Sequence, residues 1–278
     1  MQMKEETALI TGATSGIGRK IAELFLKEGA KITVCSRNEE NVKKTVKELQ
    51  KTYGVENVIG FACDVSDITS FTNVVDKTVE VFGSVRILVA NAGLNVHYGP
   101  FAHLTPEQIQ EDTKKVLGAN LIGTINSISV TLPKMINQGY GRIVTLSGAG
   151  ADSKRPMKHM TIYSASKGGI VSFSRCLAEE LKSYKEDIKI NVYQPGMIET
   201  NLGKNATVVN NWIGEETFRK ETTLAYKWIG TDIEESVKKI IPFVIPSCKD
   251  NGKTFRGFSI RKMITGGRKL RKVLKIND

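Results

Sequence analysis

The sequence contains no long uninterrupted hydrophobic run. Even its longest apolar runs are short, as at residues 87–90, and none approaches the ~20 residues that a membrane-spanning helix needs. The first residues, Met1 to Thr7, are polar and charged, and they lack the apolar core of a secretion signal. We therefore expect no transmembrane segment, and we expect a cytoplasmic protein.

Cysteine and histidine are both scarce. The four cysteines form no Cys-x-x-Cys pair, and the three histidines have no His-Glu-x-x-His context. We therefore predict buried, reduced thiols in a reducing compartment and no metal site. These residues are Cys35, Cys63, Cys176, Cys248, His97, His103 and His159.

Acidic residues are almost absent from the C-terminal end. The chain has a net charge of +11, and residues 253–278 carry nine Lys or Arg residues against the single acid Asp278. We interpret residues 261–278 as a basic tail. It is either solvated or attracted to an anionic partner such as nucleic acid, a membrane surface or an acidic substrate. No aromatic interleaving or nucleic-acid motif accompanies it, so no nucleic-acid partner is expected.

Strand-like and helix-like segments alternate along the chain, without internal repeats or low-complexity linkers. This alternation predicts an α/β fold, a doubly wound Rossmann-type parallel sheet of about seven strands with helices on both faces, in a single domain over 1–278. Long helices are expected at about 106–136 and 161–184. The predicted strands are 7–11, 31–35, 58–63, 85–90, 142–146, 188–193 and a weaker one near 257–260.

Residues 203–227 interrupt this alternation. An insertion at this point of such a fold lies near the carboxyl ends of the strands, where ligands bind. We therefore interpret 203–227 as a substrate loop, with a plain surface loop carrying a helix as the alternative. Its aromatic residues Trp212, Phe218 and Tyr226 would line the substrate pocket or belong to the core.

A glycine-rich turn, Thr11 to Gly18, joins the first strand to the first helix. Glycines allow the backbone to approach a pyrophosphate closely, and a helix N-terminus offers free N–H groups. The strand–turn–helix context makes this a candidate phosphate loop, although its spacing differs from Gly-x-Gly-x-x-Gly. Its candidate cofactor-binding residues are Gly12, Thr14, Ser15, Gly16, Ile17 and Gly18.

The end of the second predicted strand indicates which nucleotide is bound. An NAD site of this type usually places an acid about 20 residues after the glycines, to bind the ribose hydroxyls. Here the sequence has Ser36, Arg37 and Asn38 instead. A guanidinium can bind a 2′-phosphate through paired hydrogen bonds, with the serine hydroxyl adding another. These residues favour NADP, and Asn38 can also cap the next helix.

Tyr163 and Lys167 are four residues apart, which places them on one face of a helix. A free phenol has a pKa of about 10, and a nearby ammonium or a cationic nicotinamide ring favours its phenolate. Such a tyrosine can give a proton to a carbonyl oxygen as a hydride arrives, or take one in the reverse reaction.

These motifs occur in one order and at suitable spacing: the glycine loop, Asn91-Ala92-Gly93, Asn120, Tyr163 with Lys167, and Pro195-Gly196. In this combination the chain resembles the short-chain dehydrogenase/reductase family from about Thr7 to Thr200. The resemblance implies a small-molecule carbonyl or alcohol substrate and a homotetramer or homodimer built on the two long helices.

The resemblance also implies roles for single residues. Asp64 and Val65 would lie at the adenine ring, and Asn91, Ala92 and Gly93 would support the cofactor. Asn120 would kink its helix and hold a water in a proton relay to Lys167, which would also bind the nicotinamide ribose together with Tyr163. The residues expected at the nicotinamide carboxamide are Pro195, Gly196, Ile198 and Thr200.

The substrate-binding serine of the family is displaced in this chain. Aligned by strand, its place falls on Gly148, while Ser147 comes one residue early. A slip of one residue on a strand turns the side chain to the other face, although a local bulge could restore it. We take Ser147 as the candidate, with Ser153 as a substitute and the absence of such a serine as a third alternative.

The leading hypothesis is an NADP-dependent oxidoreductase that transfers a hydride between nicotinamide and a carbonyl or alcohol carbon. Its candidate catalytic residues are Tyr163, Lys167, Ser147 and Asn120. One alternative is a reductase of enoyl or dienoyl thioesters, which the displaced serine permits. Another is a non-catalytic NADP-binding regulator that docks through its basic tail.

Overall fold

The chain forms a seven-stranded sheet with helices on both faces. The computed structural model describes residues 1–151 and 156–274. The strand order is β3-β2-β1-β4-β6-β7-β9, and every recorded pairing in this sheet is parallel. The predicted doubly wound parallel sheet is confirmed. Its strands are β1 Thr7–Thr11, β2 Lys31–Ser36, β3 Val58–Ala62, β4 Ile87–Ala90, β6 Tyr140–Leu146, β7 Asp187–Gln194 and β9 Thr254–Arg256.

Two apolar clusters cover the two faces of the sheet. One joins the strands to α1, α2 and α9 through residues such as Phe25, Leu49 and Val237, and the other joins them to α3, α5 and α6 through Phe71, Ile128 and Ala178. The helices are α1 Gly16–Lys27, α2 Glu39–Tyr53, α3 Ile68–Phe82, α4 Pro106–Asp112, α5 Gly123–Asn137, α6 Thr161–Glu180, α7 Asn201–Lys204, α8 Glu215–Ile229, α9 Ile233–Lys238 and α10 Ile260–Leu274.

The last strand lies earlier than its predicted position near 257–260. β9 covers Thr254–Arg256, and Ile260 already begins α10, so that prediction is wrong. Stacking of Phe255 on Tyr193, with ring centroids 5.0 Å apart, fixes the position of this strand. A Cβ on Gly257 would lie 2.7 Å from the hydroxyl oxygen of Tyr193, so a larger residue would not fit directly after the strand.

A second, two-stranded sheet was not predicted. It pairs β5 His97–Tyr98 with β8 Thr207–Val208 in parallel. Because β8 lies within the 203–227 segment, this pairing connects that segment to the loop that follows β4. The segment also contains most of α8.

The helical stretch Pro106–Asn137 runs through α4, a π-helical segment Thr113–Ile122 and α5. By length and composition alone it could cross a membrane, with a mean hydropathy of 1.3 in its most apolar window. About 39% of that window is buried inside the protein, and α5 packs on α3 and β6. Core helices of soluble proteins pass the same test, so this stretch is weak evidence for a membrane span.

The C-terminal segment is largely a helix rather than an extended tail. Residues 260–274 form α10, which packs against α8, while residues 275–278 lie outside the described part of the chain.

All four cysteines are free, as expected, but Cys176 is exposed on α6. The prediction of burial is therefore wrong for that residue, because its position on α6 faces solvent. The thiols of Cys35 and Cys63 lie in hydrogen-bonding contact. This bond and burial raise the pKa of the Cys35 thiol.

Candidate active site

The candidate site is a cleft at the carboxyl ends of the strands, where β1 is flanked by β2 on one side and β4 on the other. This is the switch point at which ligands bind in doubly wound sheets. The cleft has a volume of about 360 Å³. Its walls include the predicted residues Gly12, Thr14, Ser15, Gly16, Ile17, Ser36, Arg37, Asp64, Val65, Asn91, Ala92, Gly93, Ser147, Tyr163, Lys167, Pro195 and Thr200.

The glycine loop leaves β1 in a conformation that favours glycine. Gly12 has φ of +64°, and a Cβ on it would lie 2.9 Å from the Cα of Ala92. Gly16 has φ of +54° and begins α1 opposite Thr200. Ser15 is the N-cap of α1 but makes no side-chain capping bond, so the first N–H groups of the helix have no cap from it. Such groups suit a phosphate.

Gly18 is buried and does not line the cleft. A Cβ on it would lie 2.4 Å from the Nδ2 atom of Asn91, so the packing of α1 against Asn91 requires a glycine here. Its predicted contact with a cofactor stays a prediction.

Asn91 joins the ends of β1 and β4. Its Nδ2 atom donates to the carbonyl oxygens of Thr11 at 2.8 Å and Gly12 at 3.2 Å. The hydroxyl of Thr11 in turn accepts from the backbone N–H groups of Asn91 and Ala92. These bonds fix the glycine loop against the loop that follows β4.

Ser36, Arg37 and Asp64 border one end of the cleft. Burial acts to raise the pKa of Asp64, but the hydroxyl and backbone N–H of Ser66 donate to its carboxylate, and the net pKa is lowered. The charge of the exposed Arg37 adds a smaller lowering of this pKa.

Asn38, a predicted cofactor contact, does not line the cleft. Its Oδ1 atom accepts from the backbone N–H of Asn41 at 2.7 Å, so it caps α2. The capping role expected from the sequence is confirmed, and the cofactor contact stays a prediction.

Tyr163 and Lys167 are buried together at the other end of the cleft, on the first turns of α6. The Nζ atom of Lys167 lies 5.7 Å from the centroid of the Tyr163 ring and donates to the carbonyl oxygen of Leu146 at 3.1 Å. Burial raises the pKa of Tyr163 to about 12 and lowers the pKa of Lys167 to about 8. Desolvation is the cause of both shifts.

Asn120 lies behind the cleft, fully buried in the π-helical segment. Its Oδ1 atom accepts from the backbone N–H of Leu94, and its Nδ2 atom donates to the Leu94 carbonyl oxygen and to the Ser166 hydroxyl. It therefore ties the loop after β4 to α6, beside Lys167. Among the described residues, Asn120 itself makes no recorded hydrogen bond to Lys167.

Gly148 lies directly beside the phenol. A Cβ on Gly148 would be 2.5 Å from the hydroxyl oxygen of Tyr163. The position that strand alignment assigns to the family serine thus faces Tyr163, but it holds a glycine. Ser147 is buried and lines the same cleft, whereas Ser153 lies outside the described residues.

The segment after β7 contributes fewer cleft residues than predicted. Pro195 and Thr200 line the cleft, but Gly196 and Ile198 do not. Gly196 has φ of +94°, and a Cβ on it would lie 2.6 Å from the Thr231 hydroxyl, so close packing explains this glycine.

The structure also brings together residues that sequence reasoning missed. His97 Nδ1 and Asp112 Oδ1 form a hydrogen bond of 2.8 Å, and both residues line a small cavity next to Tyr163. No spacing rule could reveal this pair, because β5 and α4 meet only in the fold.

An aromatic cluster lies nearby. The Tyr98 ring packs against Phe218 and Trp212, and His159 packs against Trp212 with ring centroids 4.4 Å apart. His159 also lines the small cavity beside Tyr163. Trp212 and Phe218 of the 203–227 segment therefore lie close to the candidate site. Tyr226 instead packs against Gly203, where a Cβ would be 2.5 Å from its hydroxyl oxygen.

Comparisons with protein families and curated proteins agree with this geometry. The family model described as short chain dehydrogenase matches residues 6–210. A putative ketoacyl reductase from Streptomyces coelicolor is 39% identical over 199 residues, which cover 71% of this chain and 72% of the relative. The 3-oxoacyl-(acyl-carrier-protein) reductase FabG of Thermotoga maritima is 34% identical over 202 residues, covering 73% of this chain and 78% of that protein.

Solved structures share the fold over almost the whole chain. The crystal structure of levodione reductase superimposes with a TM-score of 0.80 at 26% identity, covering 94% of this chain and 98% of that one. This similarity includes the part of the chain beyond residue 210.

A methyl group on Gly148 would displace the phenol of Tyr163. The backbone at Gly148 is not left-handed, so Gly148→Ala should fold normally yet misplace the hydroxyl. We expect kcat to fall about 10²-fold, as for other small misplacements of a reacting group. Steady-state kinetics and a thermal melt test this. Gly267→Ala, where a Cβ meets nothing within 4 Å, is the control, and equal activity of both variants would contradict the prediction.

Proposed function

Because this chain belongs to the short-chain dehydrogenase family, whose members transfer hydrides with nicotinamide cofactors, we propose that it is an NADP-dependent reductase of a carbonyl group. The observation that carries the proposal is the burial of Tyr163 and Lys167 side by side in one cleft with the glycine loop and Arg37. The reverse oxidation of an alcohol would use the same groups.

The residues of the cleft fit a dinucleotide. The glycine loop lines the cleft, and Gly12 lets it pack closely against Ala92. The uncapped start of α1 suits a pyrophosphate. Ser36 and Arg37 would bind a 2′-phosphate, with Asp64 and Val65 at the adenine end. When bound, the nicotinamide supplies the hydride.

Tyr163 would act as the proton donor. With a pKa of about 12, its phenol carries its proton at neutral pH and is ready to donate it to a carbonyl oxygen. The phenolate that remains would be stabilised by the ammonium of Lys167, which stays charged below its pKa of about 8.

We assign supporting roles to two more residues. Ser147 lines the cleft with Tyr163, so its hydroxyl is the candidate second donor to the substrate oxygen. Asn120 acts through other groups. It is a positioning residue that holds the loop after β4 against α6.

The substrate class follows from the cavity and the relatives. Two relatives are named as reductases of ketoacyl groups, and the aromatic cluster of Tyr98, Trp212 and Phe218 provides an apolar wall. A ketone with an apolar substituent fits both observations.

A reductase of enoyl or dienoyl thioesters is the second candidate. Gly148 occupies the place of the serine beside the phenol, so the site has one donor fewer for a ketone oxygen if Ser147 does not take that role. NADPH oxidation measured against a ketone panel and an enoyl-thioester panel distinguishes the two reactions.

Two further expectations belong to this proposal. The partly exposed helical stretch Pro106–Asn137 and α6 would form the interface of a homodimer or homotetramer, as is typical of the family. The four free cysteines agree with the expected reducing, cytoplasmic compartment.

Tyr163→Phe tests the proton donor. Loss of the hydroxyl should lower kcat about 10²- to 10⁴-fold while NADPH still binds, because general acid catalysis contributes that much. Turnover and fluorescence titration of NADPH provide the two readouts. Undiminished turnover would rule out Tyr163 as the acid.

NADPH binding with no turnover of any substrate by the unmodified protein would favour the non-catalytic regulator.

Arg37→Ala tests the choice of cofactor. Without the guanidinium, the KM for NADPH should rise about tenfold or more, while the KM for NADH stays nearly unchanged. Kinetics with both cofactors measure this ratio. Lys44→Ala removes an exposed positive charge from α2 and is the matched control. An equal effect of Arg37→Ala on both cofactors would contradict the 2′-phosphate contact.

The pH dependence of carbonyl reduction tests Lys167. Its ammonium is present below a pKa of about 8 and is lost as the pH rises through that value, so kcat should fall above about pH 8. Lys167→Arg keeps the charge at higher pH. The fall in kcat should therefore move to higher pH in that variant. An unchanged profile would show that Lys167 is not the group that titrates.

A further inference from the structure

The C-terminal helix α10 is strongly basic. Between Ile260 and Leu274 it carries six basic residues and no acidic residue. Its basic residues are Arg261, Lys262, Arg268, Lys269, Arg271 and Lys272. A charge of this density on one 15-residue helix attracts an anionic surface.

Specific contacts hold α10 against the end of α8. Gly266 is buried against the Trp228 carbonyl oxygen, where a Cβ would lie only 2.0 Å away. Lys262 donates to the carbonyl oxygen of Gly230, and the Nζ atom of Lys269 lies 5.1 Å from the centroid of the Trp228 ring. The orientation of α10 is therefore defined, and so is the face that it turns outward.

That outward face carries apolar side chains. Ile260, Met263 and Ile264 are 44%, 37% and 47% exposed. They share one side of the helix because they are three and four residues apart, and we call them the apolar strip. Arg268 lies one turn after Ile264, next to the strip. An apolar strip bordered by basic residues is the pattern of helices that lie in a membrane interface.

We propose that α10 binds the protein to the surface of an anionic lipid bilayer. The apolar strip enters the headgroup region, and the neighbouring Arg and Lys side chains contact lipid phosphates. This association is peripheral and reversible. It goes beyond the hydride transfer proposed above and does not depend on it.

The charge of α10 and its apolar strip argue against two other partners for this helix. A second copy of α10 would bring another six positive charges against the first six, which is repulsive. A nucleic acid would match the charge, but it offers no apolar environment for Ile260, Met263 and Ile264. A bilayer with anionic headgroups accommodates both features.

The docked helix rests on an element that also borders the candidate site. α8 presents Trp228 to α10 at its end and Phe218 to Tyr98 of the aromatic cluster nearer its start. Membrane binding would therefore hold α8, and with it one wall of the aromatic cluster, at the lipid surface.

Flotation of the full chain with lipid vesicles tests the proposal. We expect the protein to float with vesicles of phosphatidylcholine and phosphatidylserine in equal parts, but not with phosphatidylcholine alone. Ile264→Ser should weaken binding by about fivefold to tenfold through lost apolar burial. Arg268→Ala should weaken it by about fivefold, and added salt should weaken binding further.

Matched variants serve as controls. Ile68→Ser removes an isoleucine that is 49% exposed on α3, and Lys44→Ala removes an exposed charge from α2, so both should float like the unmodified protein. Absence of flotation with the anionic vesicles at low salt would overturn the proposal. So would unchanged flotation of Ile264→Ser. Binding to duplex DNA that Ile264→Ser leaves intact, without flotation, would assign the basic helix to nucleic acid instead.

Discussion

The candidate site depends on holding the loops after β1 and β4 and the helix α6 together beyond the point where strand pairing ends. Two side-chain amides do this, those of the half-buried Asn91 and the fully buried Asn120. Asn91 bonds the carbonyl oxygens of Thr11 and Gly12, and Asn120 bonds Leu94 on one side and Ser166 on the other. Because each amide satisfies backbone groups that would otherwise be buried without partners, its loss would cost the hydrogen bonds and the shape of the cleft together. The glycine loop and the Tyr163 helix are thereby positioned in one cleft.

Burial then sets the protonation of the reacting groups. Both groups lie in the same desolvated wall of the cleft. Burial there raises the pKa of the Tyr163 phenol to about 12 and lowers the pKa of the Lys167 amine to about 8. Lys167 has the Leu146 carbonyl oxygen as its recorded partner, so most of its hydration has been removed. A protonated phenol beside an amine that can still be charged at neutral pH is an arrangement that favours giving a proton to an oxygen.

The sequence predicted the elements whose signal is local. Apolar runs between turns indicated six of the seven main strands, and the glycine loop, Arg37 and the Tyr163–Lys167 spacing indicated the cleft that the fold assembles. Contacts between segments far apart in the chain could not be predicted from the sequence. The weak Thr254–Arg256 strand is defined by stacking of Phe255 on Tyr193, and the β5–β8 pair and the His97–Asp112 bond join distant segments. Gly18 and Asn38 match the pattern of cofactor-binding residues, and the fold also gives Gly18 a packing role and Asn38 a capping role.

The most direct test follows the hydride itself. Single turnover with NADPH that carries deuterium at the transferred position should oxidise the cofactor and leave the deuterium on the carbinol carbon of a ketone substrate, as read by mass spectrometry. This result would establish reduction of a carbonyl by hydride transfer from NADPH. Deuterium on the β-carbon of the saturated product of an enoyl thioester, with no label on the carbinol carbon of any alcohol product, would contradict carbonyl reduction. The proposed reaction would then be reduction of an enoyl thioester.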